Sequence, residues 1–74
     1  MIVTVRLISY LSDARFDLAE VTLDQGARVD DLLGRLALTR LDVGLILING
    51  QSCKYTHALG DRDQVTLIPH MGGG

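Results

Sequence analysis

Gly60-Asp61-Arg62-Asp63-Gln64-Val65-Thr66-Leu67-Ile68-Pro69-His70-Met71-Gly72-Gly73-Gly74 closes the sequence and decides how the rest is read. Turn residues come first, then a short apolar strand, a proline and three glycines. Pro69 has no N–H to give to a sheet ladder, so it ends the strand or lies on an edge. Glycine loses the most backbone freedom on ordering, so a glycine run does not serve stability. It serves a chain end that must be thin, mobile and tipped with a carboxylate. The competing reading is a frayed end with no task.

Upstream of this stretch, residues 43–49 are almost continuously apolar, as in a central strand covered on one side and paired on both edges. Asn49-Gly50 follows, the strongest hairpin signal in the chain, because a type I′ turn needs positive φ at both central positions. A short return strand is expected over residues 51–54, then a crossing segment over 55–59. Residues 29–38 predict a helix: Val29, Leu32, Leu33 and Leu36 fall at i, i+3, i+4 and i+7. Asp30 and Asp31 suit the positive end of its dipole, and Arg35 lies toward the other. Arg28 is a poor capping residue, so the helix start has no evident cap.

At the other end of the sequence, Val3, Val5 and Leu7 alternate with Thr4 and Arg6, the pattern of a half-buried strand over residues 2–9. Residues 10–14 carry turn chemistry. A second strand over 15–23 changes phase, with Phe16 and Leu18 even and Val21 and Leu23 odd. A bulge near Ala19 or Glu20 is the expected reason. The order strand, strand, helix, strand, short strand, strand predicts an α+β domain with one helix across a mixed sheet of four to five strands. The domain is expected over residues 1–69, with 70–74 as a flexible tail.

Composition agrees with a small aliphatic core. The chain has 74 residues, is 47% hydrophobic, and has only Tyr10, Phe16 and Tyr55 as aromatics. A net charge of -2 with no basic run argues against nucleic acid. The single Cys53 excludes an internal disulfide framework. No signal-peptide pattern or membrane-length apolar run is evident, so a cytoplasmic location is expected.

No nucleophile–base pair, phosphate-cradling glycine loop or framed carboxylate pair is visible. The chain therefore reads as a protein co-substrate, not a catalyst, with no cofactor of its own. Its chemistry is expected at the terminal carboxylate. A carboxylate is a poor electrophile until an enzyme joins it to AMP from ATP. The five residues after Pro69 reach at most roughly 17 Å when extended. Gly72, Gly73 and Gly74 would pass a channel too narrow for side chains. Sulfide or persulfide as the next nucleophile gives a thiocarboxylate; cysteine gives a thioester; lysine gives an isopeptide bond.

The segment from Asp63 through Gln64, Val65, Thr66, Leu67, Ile68, Pro69, His70 and Met71 to Gly72, Gly73 and Gly74 resembles the end of the bacterial sulfur-carrier family that includes MoaD and ThiS. That family ends in an acidic residue, Glu or Gln, an aliphatic strand, often a proline, an apolar residue and Gly-Gly. The helix at Val29-Asp30-Asp31-Leu32-Leu33 and the Asn49-Gly50 turn also match its order. The resemblance implies a ubiquitin-like β-grasp fold. It also implies adenylation of Gly74, with Gly73 its required neighbour, by an E1-like enzyme of MoeB or ThiF type, using ATP and a sulfur donor. Gly72 departs from the family, which often has a side chain there. Pro69 brings the chain nearer the MoaD branch, which implies sulfur donation in molybdenum or tungsten pterin cofactor synthesis and a large synthase subunit of MoaE type. A thiamine-type carrier, a plain interaction module and a ubiquitin-like modifier are the alternatives.

Leu67, Ile68, Pro69, His70, Met71 and Gly72 are the expected partner-docking residues around the tail, although some of these must be core. Cys53 and His57 have C-x3-H spacing, but two ligands do not make a zinc site, and no metal is expected. Lys54, the sole lysine, is weighed as a self-conjugation site against a plain surface charge. Asp61, Arg62 and Asp63 are weighed as a partner contact against simple turn chemistry.

Overall fold

The computed structural model describes residues 1–70. Its elements are β1 (Ile2–Leu7), a 3-10 turn (Ser9–Ser12), β2 (Leu18–Thr22), α1 (Val29–Arg35), β3 (Val43–Ile48), β4 (Gln51–Ser52) and β5 (Gln64–Pro69). The five strands form one mixed sheet in the order β2-β1-β5-β3-β4. β1 and β5 are parallel, and the other neighbours antiparallel. A parallel pair needs a crossover between its strands, and α1 lies on the chain between them. The fold is the expected α+β arrangement.

Strand alternation builds the core. Val3, Val5 and Leu7 of β1 and Val65, Leu67 and Pro69 of β5 all turn to one face and are buried. Val29, Leu32 and Leu33, three of the four residues in the helical stripe, join them in a single cluster with Val43, Ile46 and Ile48 of β3. Every buried member of that cluster is apolar, so non-directional burial supplies the driving force.

β2 corrects the expected bulge. It pairs with β1 in unbroken register from Ile2 opposite Thr22 to Arg6 opposite Leu18. The strand begins at Leu18, which points to solvent, so Phe16 precedes the ladder and obeys no strand phase. The 10–14 segment is also more than a turn. A 3-10 turn buries Leu11, and Arg15 Nε donates to the Leu36 carbonyl at 2.9 Å, tying this corner to the end of α1.

The helix ends earlier than expected, at Arg35. Leu38 N–H donates to Leu33 O at 2.8 Å and Ala37 N–H to Gly34 O at 3.1 Å. This is the Schellman arrangement, with Ala37 at φ 57° in the position usually given to glycine. At the other end the Asp31 carboxylate accepts the Arg28 N–H at 2.8 Å. The carbonyls of His57 and Tyr55 accept the N–H groups of Val29 and Asp30, both at 3.0 Å. The missing cap is thus supplied by the crossing segment, which no local sequence signal reveals.

β5, not β3, is the central strand. β4 pairs only with Leu47 and Ile48, which leaves the start of β3 near the sheet edge. Asn49 and Gly50 have φ of 51° and 86°, the positive pair the hairpin needs. Asn49 Oδ1 also accepts the Gln64 N–H, and its Nδ2 donates to Asp63, both at 3.0 Å.

Candidate functional site: the end of the central strand

β5 delivers the chain to the molecule's edge between two neighbours. On one side Leu7 of β1 pairs with Leu67, and the Ile8 N–H donates to the Leu67 carbonyl at 3.1 Å. On the other, Val43 of β3 pairs with Pro69, and the register then shifts so that Leu45 faces Ile68. Gly44 is the extra residue of this irregularity. Here the backbone of His70 lies against β3: a Cβ on Gly44 would stand 2.9 Å from His70 Cα.

The start of β3 is held from below. The Tyr55 hydroxyl donates to the Val43 carbonyl, and the Arg40 guanidinium lies over the Tyr55 ring, 5.0 Å from its centroid. Arg40 Nε also donates to the Asp30 carboxylate at 3.0 Å. That bond pulls the Asp30 pKa below the usual carboxylate range and raises that of Arg40. The pair is solvent-exposed, so its value is geometric: it fixes the loop over residues 39–42 against the start of α1.

The expected docking residues divide by strand phase. Leu67 and Pro69 face the core and are buried, which removes their side chains from any partner surface. Ile68 is half-buried on the opposite face, and His70 is exposed. Met71, Gly72, Gly73 and Gly74 lie outside the described residues. On the open face Ile68 stands beside Leu45, 42% exposed, with half-buried Leu47 two residues further along β3. Leu45 and Leu47 were hidden inside an almost continuously apolar run, which does not show which residues lie on the uncovered side. Leu41, 86% exposed, lies just before β3, and Tyr10, 53% exposed, just after β1, both at the end where β5 finishes. Polar residues of the open face include Thr4, Arg6, Gln64 and Thr66, with Glu20 and Thr22 beyond them on β2.

Other candidates are accounted for by packing and turns. Asp63 Oδ2 accepts the Gly60 N–H and Asp61 Oδ1 the Ile2 N–H, both at 2.7 Å, so the first carboxylate builds the turn and the second ties it to the start of β1. Cys53 is half-buried, and burial pushes its thiol pKa up, opposite to the shift that activates a thiol. Among the described residues no group of three or more His, Cys, Asp or Glu is placed to hold a metal ion. No helix among them is long and apolar enough to cross a membrane.

Among the described residues there is no internal catalytic pairing, and the chain leaves the central strand beside an apolar patch. The family model described as ThiS family matches residues 7–74, and so runs through the final glycines. The chain belongs to the ThiS family. No curated protein matches its sequence. The fold is the ubiquitin-like β-grasp, and solved structures repeat it. A putative molybdopterin converting factor subunit 1 from Pyrococcus furiosus superposes with TM-score 0.78 at 25% identity, covering 93% of this chain and 97% of that one. SAMP1 from Haloferax volcanii superposes with TM-score 0.75 at 23% identity over the full length of both chains. A complex of subunits 1 and 2 of molybdopterin-converting factor from Helicobacter pylori gives TM-score 0.65 at 21% identity, again over both full lengths. ThiS-family membership accounts for the ubiquitin-like sulfur-carrier fold.

Proposed function

We propose that this ThiS-family chain is a sulfur carrier activated at Gly74. The carboxylate oxygen of Gly74 attacks the α-phosphorus of ATP in an E1-like enzyme of MoeB or ThiF type, and pyrophosphate leaves. Hydrosulfide then attacks the acyl carbon, AMP leaves, and a thiocarboxylate remains. This terminal sulfur is donated in molybdenum or tungsten pterin cofactor synthesis. The observation that carries the reading is the family match continuing through Gly73 and Gly74, directly after the strand at the centre of the sheet.

Gly73 and Gly74 supply the narrow end, and the chain carries no cofactor. Ile68, together with Leu45 and Leu47, forms the docking surface, with His70, Met71 and Gly72 leading from it to the enzyme's nucleotide. A patch of this kind beside a chain end suits a protein partner, because anchors that leave water gain free energy on binding. The likeness to subunit 1 of molybdopterin converting factor favours the pterin pathway, with a large synthase subunit of MoaE type as second partner. The protein acts in the cytoplasm, where ATP-dependent activation takes place.

The test is to incubate the chain with an E1-like enzyme, ATP and sulfide, and to weigh the product. Exchange of one terminal oxygen for sulfur is expected. An unchanged mass, with an enzyme that activates its own carrier in parallel, refutes the reading. Transfer from the product to a pterin precursor or to a thiamine thiazole precursor separates the two pathways. A second reading, as a protein modifier, is favoured by the likeness to SAMP1, described as a small archaeal modifier protein. It predicts Gly74 joined to lysines of other proteins.

A further inference from the structure

We propose that Gly44 is a positioning residue: its missing side chain forms a notch in β3 that seats the His70 backbone and sets where the reactive C-terminus leaves the sheet. The inference rests on the sulfur-carrier reading and adds a residue to it.

The notch stands apart from the other described glycines. At Gly26, Gly34 and Gly50 an added Cβ would meet nothing within 4 Å, and at Gly60 only the Asp63 carboxyl group at ordinary contact distance. At Gly44 it would stand 2.9 Å from His70 Cα, 3.1 Å from its N and 3.0 Å from its Nδ1. An imidazole can rotate away; a backbone can yield only by moving the chain. Pro69 cannot absorb that movement, because its side chain is buried and its backbone pairs with Val43. Val43 is in turn held through its carbonyl by the Tyr55 hydroxyl. The displacement therefore falls on His70 and everything after it.

Seating His70 shortens the span left to find a partner's active site. Counted from Pro69, five residues reach at most roughly 17 Å; counted from His70, four reach roughly 14 Å. A shorter span from a fixed root raises the effective concentration of the terminal carboxylate once the body has docked. Gly44 adjoins Leu45 in sequence, and Leu45 pairs with Ile68, so the root and the apolar patch share one frame. A side chain at position 44 disturbs delivery of the terminus without altering the patch. The effect then falls on turnover and not on docking.

The experiment measures ATP–pyrophosphate exchange by the E1-like enzyme against carrier concentration for the wild-type chain, Gly44→Ala, His70→Gly and Gly34→Ala. It also measures the His70 amide order parameter of each chain alone. Gly44→Ala is expected to keep KM within about twofold while kcat falls about tenfold. The His70 order parameter is expected to fall from roughly 0.85 toward 0.6. His70→Gly frees the same root without touching β3, so it tests the notch if Gly44→Ala fails to fold. It is expected to lower kcat in the same way. Gly34→Ala, in open space, is expected to match the wild type. Wild-type kcat in a folded Gly44→Ala, or in His70→Gly, overturns the notch and leaves the carrier reading standing. No exchange with the wild-type chain overturns the carrier reading, and the notch with it.

Discussion

Leu45 stands directly across from Ile68 on the sheet face that the core leaves open. Neighbouring antiparallel residues on one face have Cβ atoms roughly 5 Å apart, so the two side chains make one surface. Leu45→Glu places a charge in that surface while removing nothing from the core. The expected result is a melting temperature within a few degrees of wild type and at least a tenfold weaker Kd for the activating enzyme. That loss corresponds to about 1.4 kcal/mol. Isothermal titration of the two proteins checks it.

Tyr55→Phe keeps the ring under Arg40 and deletes only the hydroxyl bound to the Val43 carbonyl. A hydrogen bond of this kind contributes about 1 kcal/mol. The variant is expected to melt about 4–8 °C lower, as that loss implies for a domain of this size. Calorimetry of the pair decides the matter, and an unchanged melting point shows that the hydroxyl is no clamp.

Ala37→Gly should stabilise the protein. Ala37 holds φ at 57°, where a Cβ crowds the following carbonyl, and glycine adopts that region freely. Relief of that crowding is opposed by glycine's larger freedom in the unfolded chain, leaving a gain of about 0.5–1 kcal/mol. Urea unfolding reads it as a higher midpoint at constant slope.

Cys53 has its thiol pKa raised by burial. The folded pKa therefore lies above the unfolded one. The associated stability is fully present below the unfolded pKa and is lost as pH rises toward the folded value. Alkylation by iodoacetamide near pH 8.5 is expected to be slower than for a free cysteine, because the thiolate fraction is smaller. Cys53→Ser is expected to be thiocarboxylated at the wild-type rate. A large loss of rate would move the sulfur chemistry from the terminus to the thiol.

What the sequence revealed follows the range of each signal. The alternation of Val3, Val5 and Leu7, the helical stripe and the Asn49-Gly50 turn are local, and each forms, although the helix stops before Leu36, the last residue of its stripe. Partnership between distant strands is not local. The pairing of β1 with β5, separated by nearly the whole chain, puts β5 at the centre, and no residue of either strand announces it. The β2 phase change misled for a similar reason: Phe16 packs against the core from outside the ladder, so an apolar side chain there says nothing about register. At the site, the alternating phase of β5 was legible, but which phase faced outward was not. That choice made Leu67 and Pro69 core and left Ile68 to the surface. Gly44 carried no signal of its own inside the apolar run, because its reason, the close approach of His70, lies 26 positions further on.

The placement of β5 also has a mechanical side. Its hydrogen bonds to β1 and β3 lie across the direction of any pull on the C-terminus, so traction loads both ladders in shear at once. A terminus on β2 or β4 would instead load a single ladder. A pull on the end of β5 is therefore borne by the two ladders that flank the central strand of the sheet.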